Sequence, residues 1–424
     1  MTALFLPCAG GAEELLTHEV TRLTGRAAEA ARGGVWVDGD ERTAMMLNLE
    51  SRLAQRVLWP LIDGPYADEH DLYDMAKRLR WPDWISAQQT LRVEVVAQRS
   101  PLTSLNFAAL RIKDAVCDVM REACGERPSV DTRHPDLPLA LYLGPDHATL
   151  YADTSGEALF KRGWRDAQGG RQGVKGEAPL KETLAAAMLA AADWQGRAQD
   201  GALFDPCCGA GTIAIEAAQI ACGIAPGALR RFAFERMLAF APHLDAWREL
   251  KHAAQARVHD SAVPIYAGDV SFRLTDFATS NAERAGVGSA IEFKTADALQ
   301  RHAPAAQGVL MLNPPYGERI APKGRAAGGE RVAAPAGDRA SREGFEGGGS
   351  SAEFFGALAT HWKRHFAGWT AWCLSPDMKL PSLMRLKESR RVPMWNGAIE
   401  CRLYRFDMVA GSNKAAGATE VTRG

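Results

Sequence analysis

The sequence predicts an α/β protein whose second half folds as a largely parallel sheet with helices on both faces. Three observations carry this. From about residue 200, apolar strand-like runs alternate with helical patterns, as parallel strands joined by crossover helices require. Before about residue 155 the same patterns come in shorter units, suggesting small α+β modules. Near the end, two strand-like runs flank an Asn-Gly pair, so an antiparallel hairpin closes the sheet. With 424 residues, 46% of them hydrophobic and 24% charged, the chain has the balance of a globular protein.

Taken in order, "AEELLTHEVTRL" spaces Leu15, Leu16, Val20 and Leu23 as one face of a helix. "GGVWVDGD" alternates between glycines and predicts a short strand. "ERTAMMLNLESRLAQRVL", residues 41–58, predicts one helix, and "TLRVEVVAQ" a strand. "LNFAALRIKDAVCDVMREA" predicts an amphipathic helix, and "LALYLGPDHATLYADTS" a hairpin turning near Gly144, Pro145 and Asp146. A glycine-rich connector follows, holding Lys161, Arg162, Arg165, Arg171, Lys175 and Lys181 against only Asp166 and Glu177. After it, "TLAAAMLAAADW" predicts a helix.

In the second half, "GALFD", "VPIYAGD", "AIEFKTAD" and "GVLMLNPP" predict strands. "TIAIEAAQIA" and "FRLTDFATSNAERAG" predict helices, the second closed by Gly286. The hairpin turn is expected at Asn396–Gly397. Residues 322–350 and the tail 409–424 hold too little large apolar surface to offset the entropy of ordering, so a flexible insertion and a disordered tail are expected.

Some classes are excluded. No apolar stretch approaches the roughly 20 residues of a membrane span, and "MTALFLPCAGG" lacks the basic start of a signal peptide. A cytoplasmic location, with no membrane partner, is therefore expected. The eight cysteines include adjacent Cys207 and Cys208 but form no C-x-x-C, so neither disulfides nor a metal is expected. Net charge is −1, which leaves nucleic-acid contact to local patches.

The chemistry begins at "LFDPCCGAGTIAIEAA", where a strand ends at Asp205 and a helix begins near Thr212. Gly209 and Gly211 allow close backbone approach, and the helix start offers unpaired N–H groups. "GAGTIA" also fits the dinucleotide pattern G-x-G-x-x-G/A. That reading fails on spacing, because the next strand-terminal acid is Asp269, far beyond the expected interval of about 20 residues. Asp205 would also repel a pyrophosphate and welcome an ammonium group. The cofactor most consistent with these residues is S-adenosylmethionine, with Asp205 near its amino group and Gly209 and Gly211 beneath it. Asp269 would accept from the ribose hydroxyls, and Asp297 would meet the adenine amine. One such acid is ordinarily a solvated loop residue. Three at successive strand ends mark the edge where open α/β sheets bind ligands.

"NPPY", Asn313 to Tyr316, ends the next strand, beside the expected methyl group. The amine of a base is a poor nucleophile because its lone pair is delocalised. The Asn313 amide oxygen and the Pro314 carbonyl can accept its hydrogens, and the two prolines fix that carbonyl's direction. Pro315 belongs to that rigid turn, and Tyr316 offers a stacking face for a base taken out of its helix. This motif serves guanine and adenine alike.

"DPCCGAGT" with "NPPYGERI" resembles the class I S-adenosylmethionine-dependent methyltransferases of exocyclic amines. "RGGVWV", "FKRGWR", "APLKETLAAA", "IAPG" and "NPPYGER", in this order, resemble the THUMP-domain RNA methyltransferases, and within them the bacterial large-subunit ribosomal RNA guanine-N(2) enzymes. The likeness runs from about residue 1 to 408. It implies a Rossmann-like, seven-stranded methyltransferase domain over 196–408, with the insertion 322–350. Ahead of it the resemblance implies a ferredoxin-like part over 1–42, a THUMP RNA-binding domain over 43–155 and a connector over 156–195. It also implies that Ala178, Pro179 and Leu180 of "APLKE" border the cofactor, with Asp205, Gly209, Gly211, Thr212, Asp269 and Asp297. Asn313, Pro314, Pro315 and Tyr316 are expected to be catalytic.

The activity implied is methylation of a guanine 2-amino group in RNA, 23S ribosomal RNA above all, by a monomer without a metal. The connector cations would meet RNA phosphates. A second catalytic domain fused to some relatives is missing, so one modification is expected. Val270 and Ser271 stand where the family often has a serine-acid pair. Other readings are a methyltransferase for another amine, in tRNA guanine or adenine, and a non-catalytic RNA-binding assembly factor.

Overall fold

The computed structural model describes residues 1–165, 180–314 and 351–409. Its first half is β1 (Thr2–Pro7), α1 (Glu13–Thr24), β2 (Ala28–Ala31), β3 (Gly34–Gly39), α2 (Glu41–Glu50), β4 (Leu58–Pro65), α3 (Glu69–Lys77), β5 (Thr90–Ala97), α4 (Leu105–Cys124), β6 (Ser129–Val130), β7 (Leu137–Leu143) and β8 (His147–Asp153). These strands form one eight-stranded sheet in the order β2-β3-β1-β4-β8-β7-β5-β6. The junction is β4, which pairs with β1 through Phe5 and Leu58 and with β8 along its length. The small modules therefore share a continuous sheet.

Local chemistry sets several helix ends. Asp40 caps α2 by accepting from the Thr43 amide, Ser104 caps α4 through the Phe107 amide, and Gly125 closes α4 at φ +79°. One expectation fails. The helix expected over 41–58 stops at Glu50, because Glu19 of α1 intercepts the chain. Its carboxylate accepts from Ser51 Oγ (2.6 Å) and from the amides of Arg52 (2.9 Å) and Leu53 (3.3 Å). A buried carboxylate bonded to three donors outweighs another turn of helix.

The second half holds α5 (Glu182–Ala191), β9 (Ala202–Asp205), α6 (Thr212–Ala221), α7 (Leu244–Ala256), β10 (Ile265–Asp269), α8 (Phe272–Arg284), β11 (Ile291–Thr295), β12 (Gly308–Leu312), α9 (Ser351–His365), β13 (Trp369–Ser375), β14 (Arg390–Asn396) and β15 (Ile399–Asp407). The sheet order is β11-β10-β9-β12-β13-β15-β14. Five strands are parallel and β15 runs antiparallel to both its neighbours. The seven-stranded expectation holds. The hairpin turn falls one residue later than expected: Asn396 still pairs with Ile399, so Gly397 (φ +66°) and Ala398 make the turn.

Strand alternation divides the core. Leu203, Met311 and Trp372 join the cluster that contains α5 and α6. Phe204, Leu310, Leu312 and Cys373 face the opposite cluster, with Leu358, Trp362 and Phe366 of or just beyond α9. Helix α6 is apolar on nearly every side because nearly every side is covered.

Two of the connector cations, Arg162 and Arg165, do not match their expected role. Arg162 is 3% exposed. Its Nε donates to Glu216 Oε1 at 2.9 Å, and further bonds reach the carbonyls of Leu159 and Arg52. Arg165 pairs with Glu182 at 2.6 Å. These two bind the interior of the protein. Arg171 and Lys175, the insertion 322–350 and the tail beyond 409 lie outside the described residues.

Candidate functional site

Parallel strands in this order bring their C-terminal ends to one edge, and β9 lies between β10 and β12. Asp205 is level with Ala267 of β10, while Phe204 is level with Leu310 of β12. Asp269 and Asn313 therefore both lie two residues beyond the level of Asp205, on the strands either side of it. Neighbouring strands are about 4.8 Å apart, which leaves roughly 10 Å between those two flanking strands. Asp297 follows β11, two residues beyond Thr295, the partner of Asp269.

The turn after β9 is built from backbone contacts. Cys208 N donates to Gly268 O (2.8 Å), and Gly211 N donates to Cys208 O (2.7 Å). Asp269 Oδ2 accepts from Gly209 N at 3.0 Å, and its Oδ1 accepts from Ser271 N at 3.0 Å. Gly211 needs its left-handed φ of +85°, and a Cβ there would meet Ala278 Cβ at 3.0 Å. Gly209, at φ +51°, differs: a Cβ there would find nothing within 4 Å. Open space lies above Gly209, a cradle that suits a closely held ligand.

Asp205 is 1% exposed and accepts from Cys207 N at 3.2 Å. Among the described residues no lysine or arginine pairs with it. Burial pushes its carboxyl well above the usual carboxylate range; the Cys207 hydrogen bond opposes this and the Asp269 charge adds to it. The three acids do converge. Burial pushes the Cys207 thiol up, and Asp205, Asp269, Cys373 and Asp297 push it further.

Thr212 begins α6 and its hydroxyl accepts from Arg165 Nη2 (2.5 Å), which also reaches Leu180 O at 3.5 Å. Leu180 and Pro314 are buried and Asn313 is half-buried. Ala178, Pro179, Pro315 and Tyr316 lie outside the described residues. Sequence reasoning missed Asn281 of α8, whose Nδ2 donates to Ala210 O at 2.9 Å and holds the glycine turn. An asparagine on the apolar side of an amphipathic helix was the available signal. It also missed Arg165 as a support of this turn, since the glycine-rich connector masked it.

A sheet of this order, with a glycine turn after its first strand and acids at the next two strand ends, has the architecture of the Rossmann-like methyltransferases. Comparison with known proteins narrows the class. Residues 168–328 match the RMKL-like methyltransferase domain, 66–153 the THUMP domain and 3–58 the RlmL ferredoxin-like domain. The chain is 31% identical over 406 residues to a putative RNA methyltransferase of Synechocystis, covering 95% of this chain and 96% of that one. It is 33% identical over 417 residues to the ribosomal RNA large subunit methyltransferase K/L of Psychromonas ingrahamii, covering 96% of this chain and 50% of the relative. The crystal structure of a putative methyltransferase complexed with SAH shares the fold, with a TM-score of 0.79 at 24% identity over 96% of this chain and 98% of that one. The chain belongs to the RMKL-like methyltransferase family, in the form that carries ferredoxin-like and THUMP domains ahead of the catalytic one. It spans about half the length of the K/L relatives it matches. Among the described residues, no helix is long and apolar enough to cross a membrane.

Proposed function

We propose that this chain transfers a methyl group from S-adenosylmethionine to the exocyclic 2-amino group of a guanine in RNA, with 23S ribosomal RNA as substrate. The observation that carries the reading is the convergence of Asp205, the glycine turn, Asp269 and Asn313 on one sheet edge, with open space above Gly209. The printed names of the K/L relatives support ribosomal RNA, and the THUMP match supports an RNA partner.

When bound, S-adenosylmethionine supplies an electrophilic methyl on a sulfonium. Asp205, ionised by the arrival of an ammonium group, holds the amino-acid end, and Asp269 holds the ribose. Asp297 accepts from the adenine amine. Gly209, Gly211 and Thr212 lie under the cofactor, with Leu180 alongside. Asn313 and Pro314 accept the two hydrogens of the target amine, which aligns its lone pair with the methyl and drains the developing positive charge. The new N–C bond forms as the S–C bond breaks, and the amine then loses a proton to solvent. The THUMP region delivers RNA, and the protein works as a cytoplasmic monomer.

The experiment is mass mapping of modified nucleotides in ribosomal and transfer RNA from a deletion strain, with purified protein added back. Loss and restoration of one N2-methylguanine in 23S RNA is expected. A missing methyl on adenine or on transfer RNA moves the activity to another amine, and no missing methyl overturns it.

A further inference from the structure

Where the two halves meet, a crevice of about 290 Å³ opens between three segments. The N-terminal region contributes Cys8, Gly10 and Gln55, the start of α5 contributes Lys181 and Thr183, and the closing hairpin contributes Trp395. Strand β14 is antiparallel to β15, as β13 is, so β14 ends at the same edge as β9, β10 and β12. The crevice therefore opens beside the methyl-transfer edge. Lys181 directly follows Leu180, whose carbonyl faces Arg165.

Its chemistry is uniform. Among the described residues no acidic side chain lines it, although the chain as a whole is nearly neutral. Thr183 is only 3% exposed. Among the described residues, neither its hydroxyl nor the Gln55 side-chain amide nor the Lys181 ammonium has a hydrogen-bond or ion-pair partner. The Lys181 nitrogen rests 5.1 Å from the centre of the Phe160 ring. Trp395 is half-buried and its ring packs against two glycines: a Cβ on Gly10 would come within 3.1 Å of it, and one on Gly11 within 3.2 Å. An indole packed on glycine, one unpaired cation and two unpaired polar groups form a set that suits a nucleotide. The ring offers a stacking surface, the cation meets phosphate, and amide and hydroxyl meet ribose or base edges. The volume is near the lower end of ligand pockets, enough for one nucleotide and far too small for a duplex.

We propose that this crevice receives a single-stranded nucleotide of the substrate strand, a short way along it from the methylated one, with its base on Trp395 and its phosphate on Lys181. The proposal rests on the RNA methyltransferase reading and extends it to how the substrate strand is gripped. Stacking tolerates any base, so a short fluorescein-labelled single-stranded RNA of mixed sequence is a sufficient probe, read by anisotropy. Trp395→Ala is expected to weaken RNA binding about tenfold, while Trp395→Phe, which keeps a ring, stays within about threefold of wild type. Lys181→Gln is expected to lower the slope of log affinity against log salt by about 0.7. S-adenosylmethionine affinity, measured by calorimetry, stays at the wild-type value in all three and reports intact folding.

Wild-type RNA affinity in both Trp395→Ala and Lys181→Gln overturns the crevice as a nucleotide site. Equal losses in Trp395→Phe and Trp395→Ala, with cofactor affinity intact, assign Trp395 to packing and also overturn it. If Trp395→Ala loses cofactor binding through misfolding, Trp395→Phe and Lys181→Gln decide. A wild-type protein that methylates no RNA removes the proposed function, whereas the affinity series still judges the crevice independently.

Discussion

Two buried carboxylates, one at the seam between the halves and one at the sheet edge, are treated in opposite ways. Glu216, fully buried on α6, is held by Arg162 at 2.9 Å and by Arg52 at 3.3 Å, one arginine from the connector and one from the N-terminal region. Asp205, 1% exposed at the end of β9, has a single amide from its own turn and a second acid nearby. Burying a charge is costly unless it is paired and hydrogen-bonded. At the seam the chain supplies both partners, and the result is a joint. At the edge the cation has to come from outside, and the result is a binding site. The position of the missing partner separates structure from function.

The contrast can be broken most directly at the seam. Removing one of the two arginines leaves Glu216 with Arg52 alone, so Arg162→Gln should destabilise the protein by about 3 kcal/mol, the worth of the charged hydrogen bonds lost. Denaturant unfolding checks this. A loss below about 1 kcal/mol would put Arg162 back among the solvated cations.

Next comes the edge itself. Asn313→Ala should lower single-turnover methyl transfer about a hundredfold or more and leave S-adenosylmethionine affinity nearly unchanged, because its oxygen acts on the reacting amine. Wild-type turnover would make Asn313 a turn residue only. Asp269→Ala should weaken cofactor binding about tenfold, the effect of losing charge-assisted hydrogen bonds to ribose hydroxyls. Calorimetry reads it directly, and unchanged affinity would move the ribose site to another strand end.

The smallest effect sharpens the comparison through pH. Burial raises the Asp205 pKa in the free protein, and pairing with an ammonium group lowers it again. Cofactor binding should therefore release a proton, with affinity rising by less than about tenfold per pH unit up to the raised pKa. The sign for folding is opposite. A raised folded-state pKa means that the free protein loses stability as pH climbs from the ordinary carboxylate value toward the raised one. Asp205→Asn should flatten both profiles, which titration calorimetry in buffers of differing ionisation enthalpy and thermal melts can follow.

Much of this was legible in the sequence because it is written in neighbouring residues. The periods of two and 3.6 placed the strands and helices, and the acids at 205, 269 and 297 stood just after apolar runs. Glycines at 209 and 211 announced a turn that only a small residue can make. Each of these signals depends on groups a few bonds apart, so backbone geometry alone determines them. The stop of α2 at Glu50, the burial of Arg162 and the joining of the N-terminal strands into one sheet were decided elsewhere. Glu19 lies 32 residues from Ser51, and Arg162 lies 54 from Glu216. A charged side chain reads the same in sequence whether it meets water or an opposite charge. Only packing decides which, because desolvation and its compensation are set by groups that the chain brings together after it has folded.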